Sequence, residues 1–299
     1  MISDRDVRFY KEHGYLLVSD VLSHEQITAL RADVEDIVAK AYQVTANNDV
    51  YDLEDSHSQQ QPRVRRIKTP HVFLPSAGKL ASDPKLVSIL TKLIGPGVRL
   101  QTSKLNMKAA GYGAPVEWHQ DWAFYPHTND DLLAVGVMLD DVTSDNGALL
   151  VIPGTHTGPI YDHHADGFFC GAMDPETCGV DFSKAVALTG TAGSMTFHHV
   201  RLVHGSALNR SSRPRRLLLY QYTAVDAWPL VQPVTDIRDY DRLIVAGEAT
   251  LTPRLAEVPV RIPLPPAPHQ GSIYENQKGS GRRYFDTYQE TEETESVSN

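Results

Sequence analysis

A chain of 299 residues with 41% hydrophobic and 22% charged residues has enough apolar material for a sizeable core, in one large domain or two small ones. Its formal net charge of -9 makes it a poor general binder of nucleic acid or of an anionic membrane, leaving only a local basic pocket open. Its cysteines, Cys170 and Cys178, are too few for a disulfide framework and wrongly spaced for a zinc knuckle, so both are expected as reduced thiols.

The N-terminus, "MISDRDVRFYKEHGYLL", carries charges where a signal peptide needs an apolar block, and no run of about 18 apolar residues occurs anywhere. The expectation is a cytoplasmic protein with no membrane partner. Ser3 or Asp4 caps a short helix that Gly14 ends. "YLLVSDVL" reads as a strand. A second helix follows, with Ser23 and Gln26 in capping-box spacing and Ile27, Leu30, Val34, Ile37 and Val38 on one face. From 44 to 66 the periodicity dissolves, which predicts a long mobile loop, either a lid or a surface insertion. "DPKLVSILTKLIGPG" is another helix, closed by Gly95-Pro96-Gly97.

Beyond residue 97 the chain breaks into short strand-like runs. "VRLQTSKLNMKA", "LLAVGVML", "GALLVIPG", "AVALTG", "GSMTFHH", "RLVHGSA" and "RRLLLYQYTA" are separated by turn signals such as "DNG" and "TAGS". No helices alternate with them, so the expected class is mainly β: a sandwich, barrel or jelly roll. One domain is predicted, with N-terminal helices and lid over 1–96, a β core over 97–226 and a Pro-rich extension over 227–299. The extension ends in an acidic tail, "QETEETESVSN", expected to be disordered.

The chemistry concentrates in "EWHQDWAFYP", 117–126. On an extended strand, residues two apart share a face, so His119 and Asp121 project together while Gln120 points away. A nitrogen and a carboxylate oxygen make two ligands for a borderline metal. Two His and one carboxylate on one face of an ion leave positions open opposite, as in non-haem Fe(II) oxygenases. The third ligand is sought in "FHHVRLVHGSALNRSSRPRR", where His204 ends an apolar run and His198 and His199 are rivals. Arg215 starts the next strand, with Arg213 and Arg216 as competitors. A tight turn after His204 would bring Arg215 back beside it, where a guanidinium can grip a carboxylate with two parallel hydrogen bonds and Ser206 can add a hydroxyl.

Together, H-x-D, "NGALLVIPGTH" and H-G-S with an Arg eleven residues past the His resemble the phytanoyl-CoA dioxygenase family of Fe(II)- and 2-oxoglutarate-dependent oxygenases, over Phe9 to Asp226. The resemblance implies a double-stranded β-helix, a cupin-like jelly roll, with flanking helices. It implies His119, Asp121 and His204 as iron ligands, Arg215 and Ser206 on the distal carboxylate of 2-oxoglutarate, and Lys108 near that co-substrate. With iron, 2-oxoglutarate and O2 it implies hydroxylation of a C–H bond, or desaturation, epimerisation or cyclisation by related chemistry. Halogenases of this type lack the carboxylate ligand, so Asp121 argues against halogenation. Trp122, Phe124, Tyr125 and Tyr222 are expected to shape an apolar shield around a small-molecule substrate, with Arg201 facing an anionic one. An acyl-CoA would want a basic patch, for which Arg63, Arg65, Arg66 and Lys68 are the candidates. Other classes to separate are a non-catalytic binding jelly roll and a zinc hydrolase, in which Arg215 would have no evident task. The sequence is equally compatible with a monomer or a homodimer.

Overall fold

The computed structural model describes residues 2–268 and 271–287; the acidic run 289–299 lies outside them. Ser3 caps α1 (Asp4–His13) by exchanging hydrogen bonds with Asp6, and Gly14 closes it in the left-handed conformation at φ 78°. After β1 (Tyr15–Val18), α2 (His24–Ala39) starts at the Ser23–Gln26 capping box and buries Ile27, Leu30, Val34 and Ile37, as its spacing predicts. The 44–66 stretch departs from expectation. It carries two antiparallel strands, β2 (Tyr51–Leu53) and β3 (Val64–Lys68). Their alternation is hidden because Asp52 is buried among Tyr51, Leu53 and Val64. Its charge is met by Arg66 at 3.1 Å and Lys68 at 3.0 Å.

Three helices follow: α3 (Pro70–Phe73), α4 (Pro75–Ala81) and α5 (Pro84–Ile94). The chain then runs through β4 (Val98–Lys108), β5 (Val116–His119), β6 (Leu132–Met138), β7 (Leu149–Val151), β8 (His164–Ala165), β9 (Phe168–Phe169) and β10 (Val186–Leu188). Next come β11 (Met195–His199), β12 (His204–Ser206) and β13 (Arg215–Ala224), then α6 (Ile237–Asp241), β14 (Ile244–Ala246) and α7 (Ile273–Asn276).

The large sheet has the order β1-β11-β6-β13-β4-β3-β2, with β14 also on β4; the small sheet is β10-β7-β12-β5. Every pairing is antiparallel and most neighbours in the two main sheets are far apart in sequence, the jelly-roll pattern that the family resemblance implies. The large sheet has two faces. Leu218, Tyr220 and Tyr222 of β13 pack beneath the helices, joining Leu86, Ile89, Leu90 and Leu93 of α5 in the main core. Burying each such side chain contributes roughly 1.5–3 kcal/mol. Tyr220 and Tyr222 tie this layer down by donating to the carbonyls of Ala77 and Ala81, each at 2.7 Å. The alternate residues Arg215, Leu217 and Leu219 face the other way, into a cavity between the sheets. Among the described residues, no helix is long and apolar enough to cross a membrane.

Candidate metal centre

β5 and β12 are neighbours in the small sheet, and their register sets His119 directly opposite His204. The ring centroids are 4.1 Å apart. His119 Nδ1 lies 2.7 Å from the Glu117 carbonyl and His204 Nδ1 2.8 Å from the Leu202 carbonyl. A carbonyl only accepts, so both Nδ1 atoms carry the proton and both Nε2 lone pairs are free.

Asp121 reaches the same point by a different route from the one expected. β5 ends at His119, Gln120 stays extended at φ -119°, and Asp121 opens a 3-10 turn rather than continuing the strand. The one extended residue is enough to keep both side chains on one side. Gln120 points away and is held fast, donating to the carbonyls of Arg201 (2.8 Å) and Pro159 (3.1 Å) and accepting from Tyr161 N–H (3.0 Å). Asp121 Oδ1 is then 3.7 Å from His119 Nε2 and 3.9 Å from His204 Nε2. All three ligand atoms lie within 4.8 Å of one another and all three residues are buried.

Charge states suit a cation. Burial pushes His119 down to about 4 against the pull of Asp121. Burial and the neighbouring imidazoles push His204 well below its ordinary value. Burial alone would raise Asp121, but Lys104, His198, His204 and His119 together hold its carboxyl well below the usual range. At neutral pH the group is therefore two neutral imidazoles and one carboxylate, the donor set that a borderline divalent ion such as Fe(II) takes. His198, a rival third ligand, lies on β11 with Nε2 3.8 Å from Asp121 Oδ2; His199 turns to Asp130 at 3.9 Å. Only His204 closes the compact triad with His119 and Asp121 among the described residues.

Arg215 arrives from the opposite sheet. The expected hairpin with His204 does not form, because β12 belongs to the small sheet and β13 to the large one. Arg215 instead pairs with Lys108 of β4 and lines the same cavity as the triad, on its opposite wall. It is 2% exposed; Nη2 donates to the Gly147 carbonyl, and Nε has no partner among the described residues. Burial lowers it only to about 10, so it stays charged. Arg216 faces away and forks onto Asp140 at 2.9 and 2.7 Å. Ser206 lines the cavity. Lys108 lines it too, but its ammonium donates to three backbone carbonyls, Ala114 (2.7 Å), Ala207 (2.5 Å) and Ser206 (3.4 Å), and so braces the exit of β12.

The expected substrate residues divide. Phe124 stands edge-on to His119 at 6.0 Å and packs with Val116, Ile273 and Tyr274 beside the cavity. Tyr125 sits close to Asp121 and takes a hydrogen bond from Gln221 on its hydroxyl. Trp122 is instead fully buried in a separate apolar cluster, with Nε1 donating to the Pro259 carbonyl. Arg201 is spent on Asp130 (2.8 Å) and the Gly158 carbonyl (2.6 Å). Tyr222 lies under α4, on the helix side of the sheet. Reading the sequence alone missed Lys104 and Asn106 in the cavity wall, and Tyr274 from the C-terminal extension. The signal for the first two was present: in "KLNMK", Lys104, Asn106 and Lys108 alternate on one face of an apolar strand.

Comparison with known proteins places this geometry. The profile of the phytanoyl-CoA dioxygenase family matches residues 10–217. The chain belongs to that family. A probable alpha-ketoglutarate-dependent hypophosphite dioxygenase of Stutzerimonas stutzeri is 38% identical over 93% of this chain and 98% of its own length. L-proline trans-4-hydroxylase of Streptomyces griseoviridis is 30% identical over 76% of this chain and 88% of its own. The iron-bound crystal structure of EctD from S. alaskensis superposes with a TM-score of 0.65 at 24% identity, covering 86% of this chain and 88% of that one. This family member is thus an iron- and 2-oxoglutarate-dependent dioxygenase with a jelly-roll core.

Proposed function

We infer that the enzyme oxygenates a small anion, with hypophosphite the first candidate, and that His119, Asp121 and His204 hold its iron. Ferrous iron and 2-oxoglutarate, when bound, activate O2, release succinate and CO2 and leave one oxygen atom for the substrate. In this reading Arg215 grips the distal carboxylate of 2-oxoglutarate, aided by Ser206, while Lys108 shapes the β12 backbone around them.

The observation that carries the substrate class is the pair Lys104 and His198. Both line the cavity with Asp121, and His198 Nδ1 has no partner among the described residues. A cation and an imidazole lining the same cavity as the triad suit a compact anion. The relative named for hypophosphite aligns over nearly its whole length, which supports that choice. An acyl-CoA is less well served. The basic cluster proposed for its phosphates is consumed internally: Arg65 on Glu275, Arg66 and Lys68 on Asp52, and Arg63 on Ser56. For hypophosphite, one P–H becomes P–OH, and the product is phosphite.

The test is aerobic turnover with Fe(II) and 2-oxoglutarate across hypophosphite, L-proline and ectoine. Phosphite and succinate should appear in equal amounts, and Lys104→Met should cut hypophosphite turnover at least ten-fold. Succinate release stimulated by proline or ectoine but not by hypophosphite would reject the substrate. Lack of any visible charge-transfer band with Fe(II) and 2-oxoglutarate without O2 would reject the chemistry.

A further inference from the structure

The family match ends at residue 217, yet the C-terminal extension walls the cavity. Ile273 and Tyr274 of α7 line it together with Arg215, Ser206 and Lys108. Tyr274 is 6% exposed, and its hydroxyl has no hydrogen-bond partner among the described residues. Buried hydroxyls normally have partners, because losing water without replacement is costly.

This side chain is moored. The Arg65 guanidinium lies 4.7 Å over its ring and also reaches Glu275 Oε1 at 2.5 Å. Further along, the Gln277 side chain accepts from Glu117 N–H at 2.9 Å and donates to the Gly171 carbonyl at 3.0 Å. Tyr284 N–H donates to Glu117 Oε2 at 2.9 Å, and Phe285 packs on Trp118 with ring centroids 5.4 Å apart. The strand that carries His119 is therefore the one that anchors this segment.

Arg215 acts on Tyr274 and has no ion pair among the described residues, whereas Arg65 and Arg66, which also act on it, are paired with Glu275 and Asp52. Arg215 Nε is a second donor without an acceptor among the described residues. Two unmet donors lining one cavity, one of them on an arginine with no ion pair among the described residues, are the complement of one carboxylate. We propose that Tyr274 is a co-substrate-binding residue, its hydroxyl donating to the distal carboxylate of 2-oxoglutarate beside Arg215. This rests on the co-substrate reading above. It makes residues 272–285 a working part of the site, and co-substrate affinity a property of the C-terminal extension.

The experiment is calorimetric titration of 2-oxoglutarate into Mn(II)-loaded enzyme, where no turnover occurs. Tyr274→Phe removes one oxygen and keeps the ring. It should weaken 2-oxoglutarate at least ten-fold, with Mn(II) affinity and thermal midpoint unchanged. 2-Oxovalerate, which lacks the distal carboxylate, should bind the wild type and Tyr274→Phe equally. Glu275→Gln keeps the hydroxyl but loosens its mooring, and should cost a smaller factor. Wild-type affinity for 2-oxoglutarate in both variants would overturn the proposal. No binding of 2-oxoglutarate to the Mn(II)-loaded wild type is a different result, and would remove the co-substrate reading together with it.

Discussion

His119 and His204 show how little an imidazole does alone. Each needs a carbonyl on Nδ1 to present a bare Nε2, and the Glu117 and Leu202 carbonyls supply it from two residues upstream. Gln120 is fixed in turn by His163, whose Nε2 accepts from Gln120 N–H at 2.9 Å. At Arg215, shape matters as well as charge. Arg215→Lys keeps the cation but loses the planar fork, so it should weaken 2-oxoglutarate by ten-fold or more in the Mn(II)-loaded enzyme while metal affinity stays unchanged. Equal co-substrate affinity would show that the residue serves only as a point charge. The His119–Asp121 pair was legible because its spacing reports local geometry, while His204 and Arg215 follow from the family resemblance, their approach being set by long-range pairing. Tyr222 was misplaced although the same rule applied: it lies seven residues from Arg215, an odd number, and so faces the helices. Trp122 and Arg201 were not legible in this way, since their partners, Pro259, Asp130 and Gly158, are fixed only by folding.

At the scale of elements, the Asn146-Gly147 turn does more than reverse the chain. Asn146 closes it by accepting from Thr143 N–H at 2.9 Å and donating to the Asp141 carbonyl at 2.8 Å. Gly147 sits at φ +82°, and its carbonyl receives Arg215. A Cβ there would meet Lys108 Cδ at 2.6 Å and the Ala207 carbonyl at 3.0 Å. Gly147→Ala should therefore lower stability by about 1–3 kcal/mol in urea unfolding and weaken 2-oxoglutarate as well. If the variant matches the wild type in both measurements, the turn has no part in holding Arg215. The three longest helices, the long strands and most turns could be read from caps and alternation, whereas α3, α4, α6 and α7 were missed. β2 and β3 could not, because strands this short with a buried Asp52 show no period, and they pair with each other and join the large sheet only through β3 on β4.

The whole molecule buries many imidazoles in neutral form. Burial pushes His119 and His127 down to about 4, and His163 and His199 to about 3. Their native values lie below the ordinary 6.5, so the unfolded chain binds more protons as pH falls. Stability from these groups is complete above about 6.5 and is lost progressively toward pH 3–4. Urea midpoints of the metal-free protein should hold between pH 7 and 8 and fall steadily from pH 6.5 to 4.5. Bound Mn(II) should raise them at neutral pH and be lost on acidification, because protons compete for the same nitrogens. Midpoints independent of pH below 6.5 would contradict this burial.

Much of the site chemistry is carried by short segments: an H-x-D, an H-G-S and an arginine eleven residues past the His. Such segments act through backbone geometry a few residues long, which is why the H-x-D pair and the class of fold can be inferred without coordinates, while His204 and Arg215 follow from the family resemblance. Which sheet each segment joins is a matter of long-range pairing. That pairing set Arg215 across the cavity from His204 instead of beside it, turned Lys104 and His198 toward Asp121, and folded Tyr274 back from the far end of the chain. Contacts between residues far apart in sequence leave no local period, so only the packed molecule reveals them.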